Sequence, residues 1–306
     1  RWGGARLDYL FLGDDAAQNA LKMSDFFEYL HDRGMREGFA DRLTHQWRMH
    51  PDIRNLLQTT YYKFLVDGDE KSLRKERRHG VVKPDWLRTS TIVWIDVPPV
   101  GGDRTTRGRG GSRATPGPTA GALAAEKRAI GGGYENRYER VVLHELMRNV
   151  QLKGYGGFNK EIAFLSPYRG QVYQINKMFD NWDNLNNPHT GDLRNRAFTV
   201  DSYQGRQTDV VVVSLVRNNE QRDPRAAFGF LHSRQRAGVM FSRAKSLLIV
   251  IGCSAHFAKG DKDFHINQVY RHIEKHGTVI PASELLGPRS YELLVGLADG
   301  QRVKGI

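Results

Sequence analysis

The sequence predicts an α/β fold, a parallel sheet with helices on both faces. Three observations predict it. Four strands are expected, Thr91–Val97, Glu161–Leu165, Val210–Val216 and Leu247–Ile251, and the apolar run Val210–Val216 reads as a strand buried on both faces. Strand, polar loop and amphipathic helix alternate along the chain, the pattern of a parallel sheet with crossover helices. With 306 residues, 39% of them hydrophobic, there is enough apolar material for one large core with extensions.

In chain order, Leu7–Leu12 reads as a strand ending in the acidic loop Gly13-Asp14-Asp15, with Gln18 one helical turn later and a short amphipathic helix at Met23–Leu30. A strand so near the start of a chain needs neighbours. Residues 1–40 are therefore expected to be the trailing edge of a domain whose body lies upstream, and the start at Arg1 suggests a fragment or a processed product. Next comes Leu43-Thr44-His45-Gln46-Trp47-Arg48-Met49-His50-Pro51. Pro51 suits a first helical turn, and Ile53, Leu56, Leu57, Tyr61 and Phe64 follow at helical spacing. An aromatic ring beside a guanidinium, just ahead of a helix, suits a nucleotide: the ring stacks on a base and the arginine takes phosphate. Taken alone, the stretch reads first as packing of Trp47 and pairing of Arg48 with a surface acid. His45 and His50 lack the spacing and partners of a metal site, and His272 with His276 reads as a solvated helix face. Asp69-Glu70 reads as a solvated turn.

Thr91–Val97 is a strand. Residues 98–133, rich in Gly, Arg, Pro, Ser and Thr, read as a flexible insertion that cannot bury enough apolar area to order itself. Arg107-Gly108-Arg109-Gly110-Gly111 within it resembles an arginine-glycine RNA-binding segment, although a single copy reads first as plain linker. Tyr134–Val150 is an amphipathic helix with Val141, Val142, Leu146 and Val150 inward. The strand Glu161–Leu165 ends in Ser166-Pro167-Tyr168-Arg169-Gly170-Gln171, with a helix Val172–Phe179 behind it. Then Phe198–Leu215 runs through an Asp, hydroxyls and an amide to Gly205, where the backbone must turn tightly or approach a ligand. It continues into the strongest β-run of the chain. Ser242-Arg243-Ala244-Lys245 feeds the next strand. Residues 266–306 read as a helix and loosely packed segments.

The net charge of +12 and pI near 9.8 favour an anionic partner, most simply nucleic acid. The single cysteine, Cys253, excludes a disulfide framework and a thiolate zinc site, and its place after a strand suits a buried thiol in a reducing, intracellular compartment. No signal peptide opens the sequence and no apolar run is long enough to span a bilayer, so no membrane partner is expected. The phosphate-cradling signature G-x-x-x-x-G-K-[ST] does not occur, and the dipeptide Gly-Lys is absent.

QWRMHP, TIVWIDV, Asn136-x-x-Glu139, IAFLSPYRGQ, TVDSYQGRQTDVVVVSLVR and GFLHSRQRAGVMFSRAKSLLIVIG occur in the order found in superfamily-one helicases. The chain resembles the branch of the nonsense-mediated-decay helicase over roughly Leu43–Gly252, and GDDAAQ is similar to that family's third motif. The resemblance implies the second RecA-like motor domain of a P-loop NTPase over 41–260, with 261–306 as a C-terminal extension. It implies ATP as cofactor, with Mg2+ ligands in a domain not within this chain. Partners would be single-stranded RNA or DNA, the upstream RecA-like domain of the same protein and regulatory proteins, in the cytoplasm or nucleus.

By the same resemblance Trp47 stands where a tyrosine stacks on adenine, with Gln46 and Asp14 beside it in nucleotide binding. Arg48 and Arg243 match two arginines that reach the γ-phosphate, and Gln18 would sense that phosphate and the attacking water. Gly205 would let its loop approach the nucleotide. Gln207 replaces a glutamate, losing charge and basicity. Ser166, Pro167, Tyr168, Thr199 and Ser202 would face the strand. Both arginines are expected on one sheet edge, the carboxyl edge at which such folds bind ligands. The implied activity is that of half of an ATP-driven 5′-to-3′ helicase or translocase, inactive as this piece alone. The alternative is a nucleic-acid-binding or scaffolding module without ATPase, for which the missing phosphate loop and Gln207 argue and against which the two arginines argue.

Overall fold

The computed structural model describes residues 33–38, 43–101, 119–130, 132–152, 160–180 and 189–298. The chain divides into two compact units, Arg1–Thr44 and His45–Ile306. In the first, residues 33–37 are helical. The strand expected at Leu7–Leu12, the helix expected at Met23–Leu30, and Asp14 and Gln18 lie outside the described residues.

The second unit is built on a six-stranded, all-parallel sheet: β1 (Ile92–Asp96), β2 (Ile162–Ser166), β3 (Ala197–Thr199), β4 (Thr208–Ser214), β5 (Ala244–Gly252) and β6 (Thr278–Pro281). The spatial order is β6-β1-β5-β4-β2-β3. The valine run of β4 lies between β2 and β5, so both its faces are covered, as its unbroken apolar sequence predicts. Successive side chains point to opposite sides and feed two cores. Val93, Ile95, Phe164, Val212 and Ile249 face one core, and Trp94, Leu165, Val211, Val213 and Val250 the other. Each such aliphatic side chain, fully removed from water, contributes about 1.5–3 kcal/mol before the entropy of ordering is counted.

Helices cover both faces. The face that carries Trp94 packs against α1 (Pro51–Thr60), α5 (Arg234–Phe241) and α6 (His265–His276), which bury Ile53, Leu56, Leu57, Phe241, Val269 and Ile273. A short α2 (Glu70–Glu76) follows α1. The face that carries Val93 packs against α3 (Arg137–Asn149) and α4 (Arg169–Asp180), which bury Val141, Val142, Leu146, Ile175 and Phe179. The last described helix is α7 (Pro288–Ala298). Helix starts follow local chemistry. Pro51 opens α1, the Asp69 side chain accepts from Ser72 N at the start of α2, and the Asn136 side chain accepts from Glu139 N at the start of α3. Trp94 can be fully buried because its indole N–H reaches Gly252 O at 3.0 Å.

Three expectations are corrected. The insertion expected over 98–133 is ordered in its second half: Ala120–Leu123 is helical, and Lys127–Arg128 pairs antiparallel with Tyr134–Glu135. Leu123 and Ala124 enter the core, apolar anchors that the surrounding Gly-rich composition hides. The helix expected from Tyr134 therefore begins at Arg137. Residues 266–281, expected as part of a C-terminal extension made of a helix and loosely packed segments, are integral: the expected helix is α6, which packs on α1, and β6 forms the sheet edge beside β1.

Candidate functional site

The loop between Gln46 and His50 is built by polar groups that satisfy one another. Gln46 Oε1 accepts the backbone N–H of Arg48 and of Met49, each at 2.8 Å, while its Nε2 donates to Met49 O at 3.0 Å and to Asp67 Oδ1. Asp67 in turn accepts from Arg54 Nε at 3.0 Å and Nη2 at 2.6 Å. On the other side Arg77 donates to Arg48 O at 2.9 Å and to Trp47 O at 3.2 Å. His50 N donates to Lys245 O at 2.7 Å, which fixes the loop against the start of β5. Burial lowers the pKa of His50, so its ring is neutral near pH 7 and Nδ1 accepts from Asp52 N. Gln46, expected in nucleotide binding, has its amide engaged inside the loop, where it acts as a brace.

The braced loop leaves two side chains outward. Trp47 is 61% exposed and its indole lies on Gly68, where an added Cβ would sit 2.1 Å from the ring. Arg48 is exposed and makes no ion pair among the described residues. Its positive charge reaches Arg243, whose pKa is lowered first by burial and then by Arg48. Arg243 is not held by Asp209, which instead lies 3.7 Å from Lys160 and 3.8 Å from Lys245. The Arg243 guanidinium donates to Val239 O at 2.8 Å, to Arg206 O at 3.1 Å and to Ser242 Oγ at 2.9 Å. The two guanidiniums thus feel each other's charge, and no carboxylate ion pair to either is found among the described residues.

The bond to Arg206 O ties Arg243 to the loop before β4. Gly205 has φ +81°, a left-handed conformation that glycine adopts without strain, and an added Cβ would meet nothing within 4 Å. The glycine is thus needed for the turn rather than for space. Gln207 is exposed. It shares a cavity of about 430 Å³ with Arg196, Phe198, Tyr203, Gly205 and Arg206. All of these groups precede β2, β3, β4 or β5 or lie at their beginnings. The nucleotide candidates therefore occupy the amino edge of the sheet, not the expected carboxyl edge.

The strand-facing candidates lie at the carboxyl edge and divide into two sets. Ser166 and Pro167 are buried, with Ser166 Oγ accepting from Tyr168 N, so their side chains support the loop from inside. Tyr168 is half-buried, its ring edge-on to Tyr134 at 5.5 Å and its hydroxyl accepting from Phe230 N at 3.3 Å. Thr199 and Ser202 form a surface turn in which Thr199 Oγ1 donates to Ser202 Oγ at 2.9 Å and accepts from Ser202 N at 3.2 Å.

A buried polar hub behind that edge escapes sequence reading. Glu139 is fully buried. It accepts from Ser214 Oγ at 2.5 Å and from Val216 N at 2.9 and 3.0 Å. Val216 has φ +72°, strained for a β-branched residue, and the carboxyl holds its N–H there. Burial pushes the Glu139 pKa up to about 8. Gln171 and Asn136 close the network, with Gln171 Nε2 donating to Ser214 Oγ and to Asn136 O. Buried Arg217 pairs with Glu126 at 3.0 Å and covers the Tyr134 ring at 4.3 Å. The one usable signal is the Asn136-x-x-Glu139 capping pattern, which marks a helix start but not its buried partners.

Among the described residues no group of three or more His, Cys, Asp or Glu could hold a metal ion. His272 is half-buried rather than solvated, and its ring centroid lies 4.7 Å from that of His276. No helix among the described residues is long and apolar enough to cross a membrane.

The AAA domain family matches residues 23–255. The probable helicase senataxin of Homo sapiens is 27% identical over 241 residues, covering 78% of this chain and 7% of that protein. The putative helicase MOV-10 of Gallus gallus is 27% identical, covering 80% of this chain and 24% of its own length. The regulator of nonsense transcripts 1 homolog of Drosophila melanogaster is 30% identical over 263 residues, covering 84% of this chain and 18% of that protein. The chain thus spans a quarter or less of each of these three relatives. With the ordered motifs and the all-parallel sheet, these matches identify the chain as a member of the AAA domain family, a helicase domain of the nonsense-mediated-decay branch of superfamily one.

Proposed function

We propose that this chain is the second RecA-like half of an ATP-dependent 5′-to-3′ RNA or DNA helicase or translocase. The observation that carries the reading is the pair Arg48 and Arg243, adjacent, without a carboxylate, and beside an exposed indole. Phosphoryl transfer spreads negative charge over the equatorial oxygens, and guanidiniums aimed at that charge lower the barrier. These residues fit a nucleoside triphosphate. Trp47 offers a face to the base, Arg48 and Arg243 offer charge to the phosphates, and Gln207 offers an amide to the sugar or to water. Gly205 lets the loop approach. The bond from Arg243 to Arg206 O links the phosphate-side arginine to the loop that carries Gln207. Mg2+ would be held by an upstream RecA-like domain, which also supplies the phosphate loop. Single-stranded nucleic acid would cross the carboxyl edge at Tyr168, Thr199 and Ser202, and the +12 charge suits that partner. In this reading Gln18 and Asp14 are nucleotide-binding residues, 1–40 belongs to the first motor domain, and regulatory proteins are further partners.

The test is Arg243→Ala in the protein carrying both motor domains. ATP turnover is expected to fall on the order of a thousandfold, with strand binding kept and only a modest loss of melting temperature from the three hydrogen bonds removed. Arg243→Lys is expected to fail as well, because an ammonium cannot reproduce the planar fork. A folded Arg243→Ala protein with near-normal turnover would remove this residue from catalysis.

A further inference from the structure

The hairpin formed by Lys127–Arg128 and Tyr134–Glu135 has a firm root and a bare apolar tip. At the root, Glu135 pairs with Arg140 at 3.3 Å and Arg137 at 3.5 Å. Glu126 receives Arg217, Asn218 N and the Asn219 amide, each within 3.0 Å. Both carboxylates near the hairpin are therefore neutralised from inside. The turn is closed by Ala129 N to Gly133 O at 3.2 Å and Gly132 N to Ala129 O at 3.1 Å. It rests on the first turn of α4, immediately after the Ser166-Pro167-Tyr168 loop. A Cβ added at Gly170 would lie 2.3 Å from Ala129 Cβ and 3.1 Å from Tyr134 O.

Ile130, at the tip, is 99% exposed. A single exposed isoleucine is ordinary by itself, and what distinguishes this one is the set of groups around it. Exposed Lys127 and Arg128 flank it, and the Arg128 guanidinium lies 5.3 Å from the Tyr134 ring centroid. One turn along α4 from Gly170, Tyr173 is 63% exposed. An aliphatic wedge, a free aromatic face and two cations, with the nearby acids internally paired, match the chemistry of a nucleic-acid strand. Ile side chains enter between bases while cations hold the flanking phosphates.

We propose that this hairpin is a nucleic-acid wedge: Ile130 inserts against an unstacked base, and Lys127 and Arg128 hold the adjoining phosphates, next to the carboxyl edge at Tyr168. The proposal rests on the strand-binding part of the proposed function.

The test uses this chain with a single-stranded RNA 12-mer carrying 2-aminopurine at successive positions. Bound wild-type chain is expected to raise the fluorescence at one or two positions, where the base leaves its stack. Ile130→Ser is expected to abolish that rise and to weaken binding about fivefold to tenfold. Lys127→Ala with Arg128→Ala is expected to reduce the slope of log affinity against log salt by about 1.4, the loss of two phosphate contacts to a single strand. Because these side chains are exposed, melting temperature should not change. Strand binding by the wild type with an unaltered fluorescence rise and affinity in Ile130→Ser overturns the wedge and leaves the strand-binding reading standing. No binding by the folded wild type overturns both.

Discussion

Stability is expected to fall as pH rises from about 6.5 to 8, and Glu139 is the cause. Its folded pKa, raised to about 8 by burial, lies above its value in the unfolded chain. A raised pKa contributes stability that is complete below the unfolded value and is lost as pH climbs through the folded one. In that window the unfolded chain has released the proton and the folded chain still binds it, so the slope approaches about 1.4 kcal/mol per pH unit. Across the window the loss is about 2 kcal/mol, a sizeable part of a typical domain's stability. The histidines act in the opposite sense and in a different window. His79, His256, His265 and His272 are each pushed down to about 4, first by burial, so their contribution is present above pH 6.5 and lost as pH falls toward 4. Cys253, pushed up to about 12, acts only above the range of interest. Urea titrations at pH 6.5, 7.25 and 8 measure the slope. Glu139→Gln keeps a neutral side chain of the same shape and should flatten it. Glu139→Ala leaves the Val216 N–H without its acceptor and should cost about 1–3 kcal/mol at pH 6.5, with a cavity cost in addition. A flat wild-type profile over this window, or an unchanged slope in Glu139→Gln, would refute the reasoning.

Two further outcomes concern the loop between Gln46 and His50. Asp67→Ala strands Arg54 in a buried position and removes an acceptor from Gln46, so a loss of about 3–5 kcal/mol is expected in urea unfolding. Gly68→Ala forces the Trp47 ring off its seat, so acrylamide quenching of tryptophan emission should change while unfolding free energy changes little.

The sheet was legible because β1, β2, β4 and β5 are continuous apolar runs rich in β-branched residues, a pattern few other elements produce. β6, four residues ending in Pro281, carries too little pattern to distinguish it from a loop. Leu123 and Ala124 were hidden in the same way, as short apolar anchors in a Gly-rich stretch. The motif residues were legible as types but not as positions. Gln46 and Ser166 carry polar groups, and only the fold reveals that these groups face inward. Glu139 shows the limit most clearly. On an amphipathic pattern it reads as a solvated helix residue, yet its partner Val216 lies 77 positions away, beyond the reach of any local rule. The edge of the sheet was misjudged because the carboxyl-edge rule describes where single α/β sheets bind ligands. Here Arg48, Gly205 and Arg243 gather at the opposite end.

The central claim is that Trp47, Arg48 and Arg243 form one side of a nucleotide site, and titration of this chain with ATP against adenosine tests it most directly. The signal is the part of the tryptophan emission lost in Trp47→Phe. ATP should quench it at lower concentration than adenosine, because the guanidiniums add affinity only when phosphates are present. Arg48→Ala with Arg243→Ala should bring ATP to the level of adenosine while leaving adenosine unchanged. Equal response to ATP and adenosine in the wild type, or an unaltered ATP response in the double variant, would contradict the account.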